Sequence, residues 1–263
     1  MKQAIERVRK PNIRKAALGG LREGYFNLGF VLFGSAMTTL ITFGLAWIIS
    51  IIFRPFAPWQ LVFYIIPAMA GWICSVGIYD YAYKAVTHEH PVVMDAITAI
   101  RELIRPALLL FVADLFITLV IISDFVYCAY WAMSTGKLPQ TALAVFCFYL
   151  IIIWVMMTLY HLPLLVDGGK ESSVTGILKR SFILTFGNPV FTLMLFLVII
   201  AFAIICALPV FAGWVALLVG GCAFFCCSAL KELFISYGLT PDDPTEPEDK
   251  GWRVPEKKSE DKS

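Results

Sequence analysis

Apolar positions gather into six long runs, 26–53, 59–83, 106–133, 141–166, 189–208 and 211–230, separated by short polar or basic segments. Crossing a hydrocarbon layer takes roughly 20 residues at about 1.5 Å of rise each, and every run meets that length. The runs lack the alternation of barrel strands, and hydrocarbon offers no water to a free backbone amide. The pattern therefore predicts an all-α fold, a six-helix transmembrane bundle.

Two connections carry a helical period of their own. After the second run, Val93, Ile97, Ile100 and Ile104 recur at spacings of three and four, with Asp95, Thr98, Arg101 and Glu102 on the other side. After the fourth run, Ser172 or Ser173 can cap a turn whose apolar side is Val174, Ile177, Leu178, Ser181 and Phe182, opposite Thr175, Lys179 and Arg180. Both are expected as cytoplasmic amphipathic interfacial helices, at the membrane surface or against the inner mouth of the bundle. Arg105-Pro106 and Asn188-Pro189 each open the next span, because a first helical turn does not need the missing proline amide hydrogen. The two hairpins also share Ile78-Tyr79-Asp80 and Leu159-Tyr160-His161 at the end of the inward span. Either a degenerate duplication or shared hairpin constraints produce such a likeness.

Composition and charge fix the setting. Hydrophobic residues make up 59% of the chain, charged residues 15%, and mean hydropathy is +0.79, which leaves too little polar surface for a water-soluble fold of this size. Of the 21 Lys and Arg residues, all but Arg54 and Lys137 fall in the leader, the connections after the second and fourth runs, or the C-terminal segment. The positive-inside rule then places both termini in the cytoplasm. The leader precedes an apolar run too long for a signal peptide and closed by no small-residue cleavage site, so the run reads as a retained anchor. Residues 1–25 form a basic leader that either rests on anionic headgroups or only sets topology. Residues 26–236 form the membrane domain. Residues 237–263, rich in Pro, Asp, Glu and Lys, are expected to be a disordered cytoplasmic tail in which Trp252 is the one residue suited to touching a membrane or partner. A net charge of +2 gives no reason to expect nucleic acid.

Ionisable groups inside apolar runs are costly and direct attention to Asp114 and His161. Asp114 follows Pro106 in the third run and His161 precedes Asp167 in the fourth, so each is expected about 9 to 12 Å from the inner boundary, where they can pair. Asp124 is expected near the outer interface within reach of Arg54 or Lys137, and Asp80 four residues before Lys84 in a helical ion pair. Pro67, Pro163 and Pro209 are expected to kink or break helices. Trp47, Trp59, Trp131 and Trp214 suit an outer aromatic belt. The seven cysteines, all within or beside apolar runs, read as packing residues; Cys222 and Cys226 stand one turn apart without a His or carboxylate on that run, so no metal is expected. His88, Glu89 and His90 read as a solvated loop. There is no phosphate-binding Gly-rich loop, no His-Glu-x-x-His zinc motif and no Gly-x-Ser-x-Gly elbow. Neither a cofactor nor an enzymatic activity is expected.

The stretch from Tyr64-Ile-Ile-Pro67-Ala68 to Arg101-Glu-Leu-Ile-Arg105-Pro106, with Tyr160-His-Leu-Pro163-Leu-Leu165 and Leu178-Lys-Arg-Ser-Phe182 through Asn188-Pro189, resembles the YesL family of bacterial membrane proteins. The likeness covers 25–233. It implies a multi-pass protein of the bacterial cell membrane, of unknown biochemical activity and associated with carbohydrate uptake, and it supplies no catalytic residues. The leader and tail are longer than the family pattern requires. Asp95-Ala96 through Pro106 has the acidic-Ala opening and closing Pro of the permease coupling motif but lacks its central Gly, so the chain does not read as the permease subunit. The expectation is an accessory or regulatory membrane protein in contact with the lipid bilayer and a carbohydrate transporter, meeting that partner through Arg101, Glu102, Arg105, Lys179 and Arg180. The alternative is a small-solute transporter or channel with its polar site near Asp114 and His161.

Overall fold

The computed structural model describes residues 10–53, 62–87, 89–207 and 213–239. Its helices are α1 (Ile13–Phe26), α2 (Leu28–Ile52), α3 (Ile65–Val86), α4 (Val93–Thr135), α5 (Leu138–Gly168), α6 (Val174–Gly187), α7 (Pro189–Ala207) and α8 (Val219–Ser236). A 3₁₀ turn, Gly169–Glu171, follows α5, and a π-helical turn, Trp214–Leu218, leads into α8. No strand occurs among the described residues. Helices α2, α3, α4, α5, α7 and α8 are the six long and apolar enough to cross a membrane, as the runs predict.

Helix α8 is the centre of the bundle. In its most apolar stretch 61% of residues are buried, against 11–28% for the other five spans. Its sequence explains this: Gly220, Ala223, Cys226, Cys227, Ser228 and Ala229 are small and buried, so neighbouring helices can approach its backbone. Close approach matters here, because lipid removes the hydrophobic drive between helices and leaves van der Waals contact and polar bonds to hold them. Ser35 of α2 accepts the Gly220 amide hydrogen at 2.8 Å, and Lys231 of α8 donates to the Val86 carbonyl at the end of α3, also at 2.8 Å.

The leader departs from expectation. From Ile13 onward it is helical and packed on α8, so this part of 1–25 belongs to the membrane unit. Asn12 caps α1 by accepting the Arg14 and Lys15 amide hydrogens, its own amide donates to Glu232, and Ser228 donates to the Ala16 carbonyl at 2.8 Å. The residues that α1 buries are Ala16 and Gly20, too small to register as an apolar stripe.

Helix α4 brings the second departure. It continues through Pro106 for 43 residues, about 65 Å, so 93–105 is not a separate interfacial helix and Pro106 does not open a span. Its buried face is Ala96, Ala99, Leu103, Ala107 and Leu110, whereas Val93, Ile97 and Ile104 are exposed. The physical reason is a small-residue seam: a Cβ on Gly77 of α3 would lie 2.8 Å from the Ala96 carbonyl oxygen. Tertiary packing on both sides of Pro106 outweighs the loss of one backbone bond.

Helix α6 is a separate element capped by Ser173, which accepts the Gly176 amide hydrogen at 3.1 Å. It buries Ile177, Ser181, Leu184 and Thr185 and exposes Phe182, so its inner face is rotated from the expected one. Asn188 ends it and Pro189 opens α7. The likeness of the two hairpins therefore stops at their prolines. Pro67 sits in the first turn of α3, Pro163 lies inside the continuous α5, and Pro209 is outside the described residues, as are Arg54, Trp59, His88 and 240–263. Trp47 and Trp131 are exposed, and the Asp80–Lys84 pair forms at 2.9 Å.

Two glycines test the seam with opposite signs. Gly77→Ala should destabilise the protein by about 1–3 kcal/mol through overpacking, whereas Gly44→Ala, whose Cβ meets nothing within 4 Å, should gain about 0.5–1 kcal/mol of helix propensity. Unfolding midpoints in detergent measure both; shifts of the same sign would contradict the contact.

A buried polar chain joining three helices

Asp114 and His161 meet. The Asp114 Oδ2 to His161 Nδ1 distance is 3.0 Å, and His161 Nε2 lies 3.1 Å from Ser181 Oγ. Ser181 in turn donates to the Leu178 carbonyl at 2.9 Å. All three residues are buried, His161 and Ser181 completely. The chain links α4, α5 and α6, and the Trp154 ring stands edge-on to the imidazole at 5.5 Å.

Register explains why these side chains coincide. Helices α4 and α5 form an antiparallel hairpin closed at Gly136, whose φ of 62° is the left-handed cap that glycine adopts at little steric cost. Cross-contacts step away from that turn in opposite directions along the two helices: Cys128 with Cys147 at 3.9 Å, the Trp154 indole donating to Thr118 at 2.9 Å, Asp114 with His161, then Glu102 with Lys170 at 3.2 Å. Asp114 and His161 lie about 33–36 Å of helix from the turn. Equal distance from it, rather than a common depth measured from Pro106, brings them level.

The contacts also constrain the protons. Ser181 has one hydroxyl hydrogen, and when it goes to the Leu178 carbonyl the His161–Ser181 bond takes its hydrogen from Nε2. Between Asp114 and Nδ1 one further proton is then shared, and the chain is neutral as a whole. That is the arrangement burial favours, since an uncompensated charge in a low-dielectric site is strongly penalised. Asp114 Oδ1 has no hydrogen-bond partner among the described residues.

The order carboxylate, imidazole, hydroxyl matches a nucleophile relay, but its setting differs. Ser181 is fully buried within a continuous helix and its hydrogen is bound to its own preceding turn. As it stands, the site presents no open face on Ser181 to a substrate. What it does directly is tie three helices at one point.

Further polar bonds surround this tie. Tyr160 and Thr192 hydroxyls meet at 3.0 Å, joining α5 to α7, and Tyr83 donates to Asp167, joining α3 to α5. Neither pair was visible in the sequence, because tyrosines in apolar runs give no spacing signal. Ser181 stood in the sequence as a hydroxyl on the apolar side of an amphipathic helix, a position that does not tell a packed side chain from a polar contact.

The remaining site residues lie on the surface. Arg101, Glu102 and Arg105 are exposed on α4, and Lys179 and Arg180 are exposed on α6. Glu102 pairs with Lys170, and Arg180 lines a cavity of about 290 Å³ with Glu171, Ser172 and Ser173 at the α5–α6 turn. Asp124 is exposed on α4. The seven cysteines are free thiols, five of them buried. Among the described residues no three His, Cys, Asp or Glu side chains are grouped to hold a metal ion. Comparison with known protein families, with curated proteins and with solved structures finds no match.

Ser181→Ala removes the acceptor of the His161 Nε2 hydrogen and should cost about 1–3 kcal/mol, whereas Ser123→Ala on the exposed side of α4 should stay within about 0.5 kcal/mol. Nitrogen NMR of the folded protein should find His161 Nε2 protonated. A bare Nε2, or equal effects of the two alanines, would contradict the assignment.

Proposed function

We propose that the protein is a non-enzymatic accessory or regulatory component of a carbohydrate-uptake system in the bacterial cell membrane, with both termini cytoplasmic. The observation that carries this reading is a cluster of exposed charges on two anchored helices. Arg101 and Arg105 on α4 and Lys179 and Arg180 on α6 are exposed, Glu102 of α4 pairs with Lys170 after α5, and the opposite sides of α4 and α6 are buried in the bundle. Exposed Ile97, Ile104, Phe182 and Phe186 accompany them, the mixture of charged rim and apolar anchor that suits a protein partner. Carbohydrate uptake comes from the resemblance to the YesL family. The Asp114–His161–Ser181 chain, with its imidazole and hydroxyl fully buried, suits a rigid support.

A transport reading draws on the polar contacts that run along α4 and α5 from Glu102 to Thr118. Vesicles containing the purified protein decide it, since the accessory reading expects no flux of sugars, ions or protons.

Affinity purification of the wild type from its own membrane should recover a carbohydrate-transport component. The variant with Arg101, Arg105, Lys179 and Arg180 all replaced by Gln should lose it, and deletion should lower sugar uptake. A wild-type eluate free of transport components, together with unchanged uptake on deletion, would overturn the reading.

A further inference from the structure

A furrow of about 600 Å³ runs between α1, the start of α2, α7 and α8. Leu21, Gly24, Phe202, Gly221 and Phe225 line it, and Arg22 supplies its one charged side chain. The hollow follows from the sequence. Gly20 brings α1 to within 3.1 Å of the α8 backbone, measured from where a Cβ would stand, and Gly24 and Gly221 contribute no side chains to the space beside that contact. The volume falls within the range of about 300–1,000 Å³ typical of sites for small ligands.

We propose that this furrow is a binding site for an anionic phospholipid, one acyl chain lying along the glycine-floored furrow and the phosphate seated on the Arg22 guanidinium. Apolar walls open to a bilayer are filled by hydrocarbon, because an unfilled surface forfeits dispersion contacts. The guanidinium makes the site selective. A cation beside apolar walls calls for a counter-ion, and the face of Phe26, 5.7 Å from the Arg22 guanidinium, is a weak substitute for an anion. Phosphate oxygens match the planar donor fork of arginine. Arg14 and Lys15 make the rest of α1 basic as well. A second copy of the chain would bring the same positive helix to the furrow, and like charge disfavours it there.

Native mass spectrometry of the full chain in detergent, offered equimolar phosphatidylglycerol and phosphatidylcholine with identical acyl chains, tests the site. The wild type should retain phosphatidylglycerol over phosphatidylcholine by about fivefold, the selectivity expected of one basic residue at a lipid headgroup. Arg22→Gln should bring the ratio to about one, and Arg14→Gln should leave the preference for phosphatidylglycerol in place. Gly24→Leu, whose Cβ has ordinary clearance of 3.7 Å from Phe224, should fill the furrow and reduce adducts of both lipids. A wild-type ratio near one, an unchanged ratio in Arg22→Gln, full lipid retention by a folded Gly24→Leu, or a lipid-free dimer would overturn the proposal. Arg22 is exposed, so its substitution leaves the fold intact and decides the matter even where Gly24→Leu does not fold.

Discussion

A carboxyl group held among hydrocarbon needs a partner, and Asp114 has His161 at 3.0 Å, itself held by Ser181 at 3.1 Å. These two bonds constrain more than their own side chains. They require α4 and α5 to be in one register and α6 to turn its serine inward, and so determine which sides of α4 and α6 remain outside. Arg101 and Arg105 on one helix and Lys179 and Arg180 on the other are presented to the surface as a consequence. The polar chain is thus the link between the packing of the bundle and the charges left exposed on α4 and α6.

Around that chain the bundle is held by proximity. Gly20 against Phe224 and Phe225, Gly77 against Ala96, and Gly220 against Val31 and Ser35 all place backbones where a Cβ would be at 2.8 to 3.1 Å from its neighbour. Small residues inside and large apolar residues outside is the arrangement expected where lipid, not water, is the competing solvent. Exposed Phe33, Phe43, Leu109, Phe116 and Val190 follow that rule. The apolar furrow beside α1 is a by-product of the same economy, since the glycines that let α1 close on α8 leave space next to it.

The six spans were legible because each is a long apolar run, and the Asp114–His161 pair because a charged residue inside such a run is conspicuous. The cap at Ser173 and the start of α7 at Pro189 followed from local turn chemistry. Four features were not legible, each for a physical reason. Helix α1 packs through Ala16 and Gly20, which carry almost no hydrophobic signal. Proline chemistry suggested a break at Pro106, but contacts on either side of it keep α4 continuous. The inner face of α4 is Ala96, Ala99 and Leu103 rather than the larger Val93, Ile97 and Ile104, because periodicity marks where apolar residues lie and does not distinguish a packed face from an exposed one. Ser181 was hidden by the same ambiguity, counted on the apolar side of α6 although its hydroxyl completes the buried chain.

The central claim is that Asp114 and His161 act as one unit, and a double-mutant cycle measures this directly. Asp114→Leu and His161→Leu should each destabilise the protein by about 3–5 kcal/mol, since either leaves a buried polar partner behind. The double variant should cost less than the two losses combined, with a coupling energy of about 1–3 kcal/mol. Additive losses, with no coupling, would contradict the account.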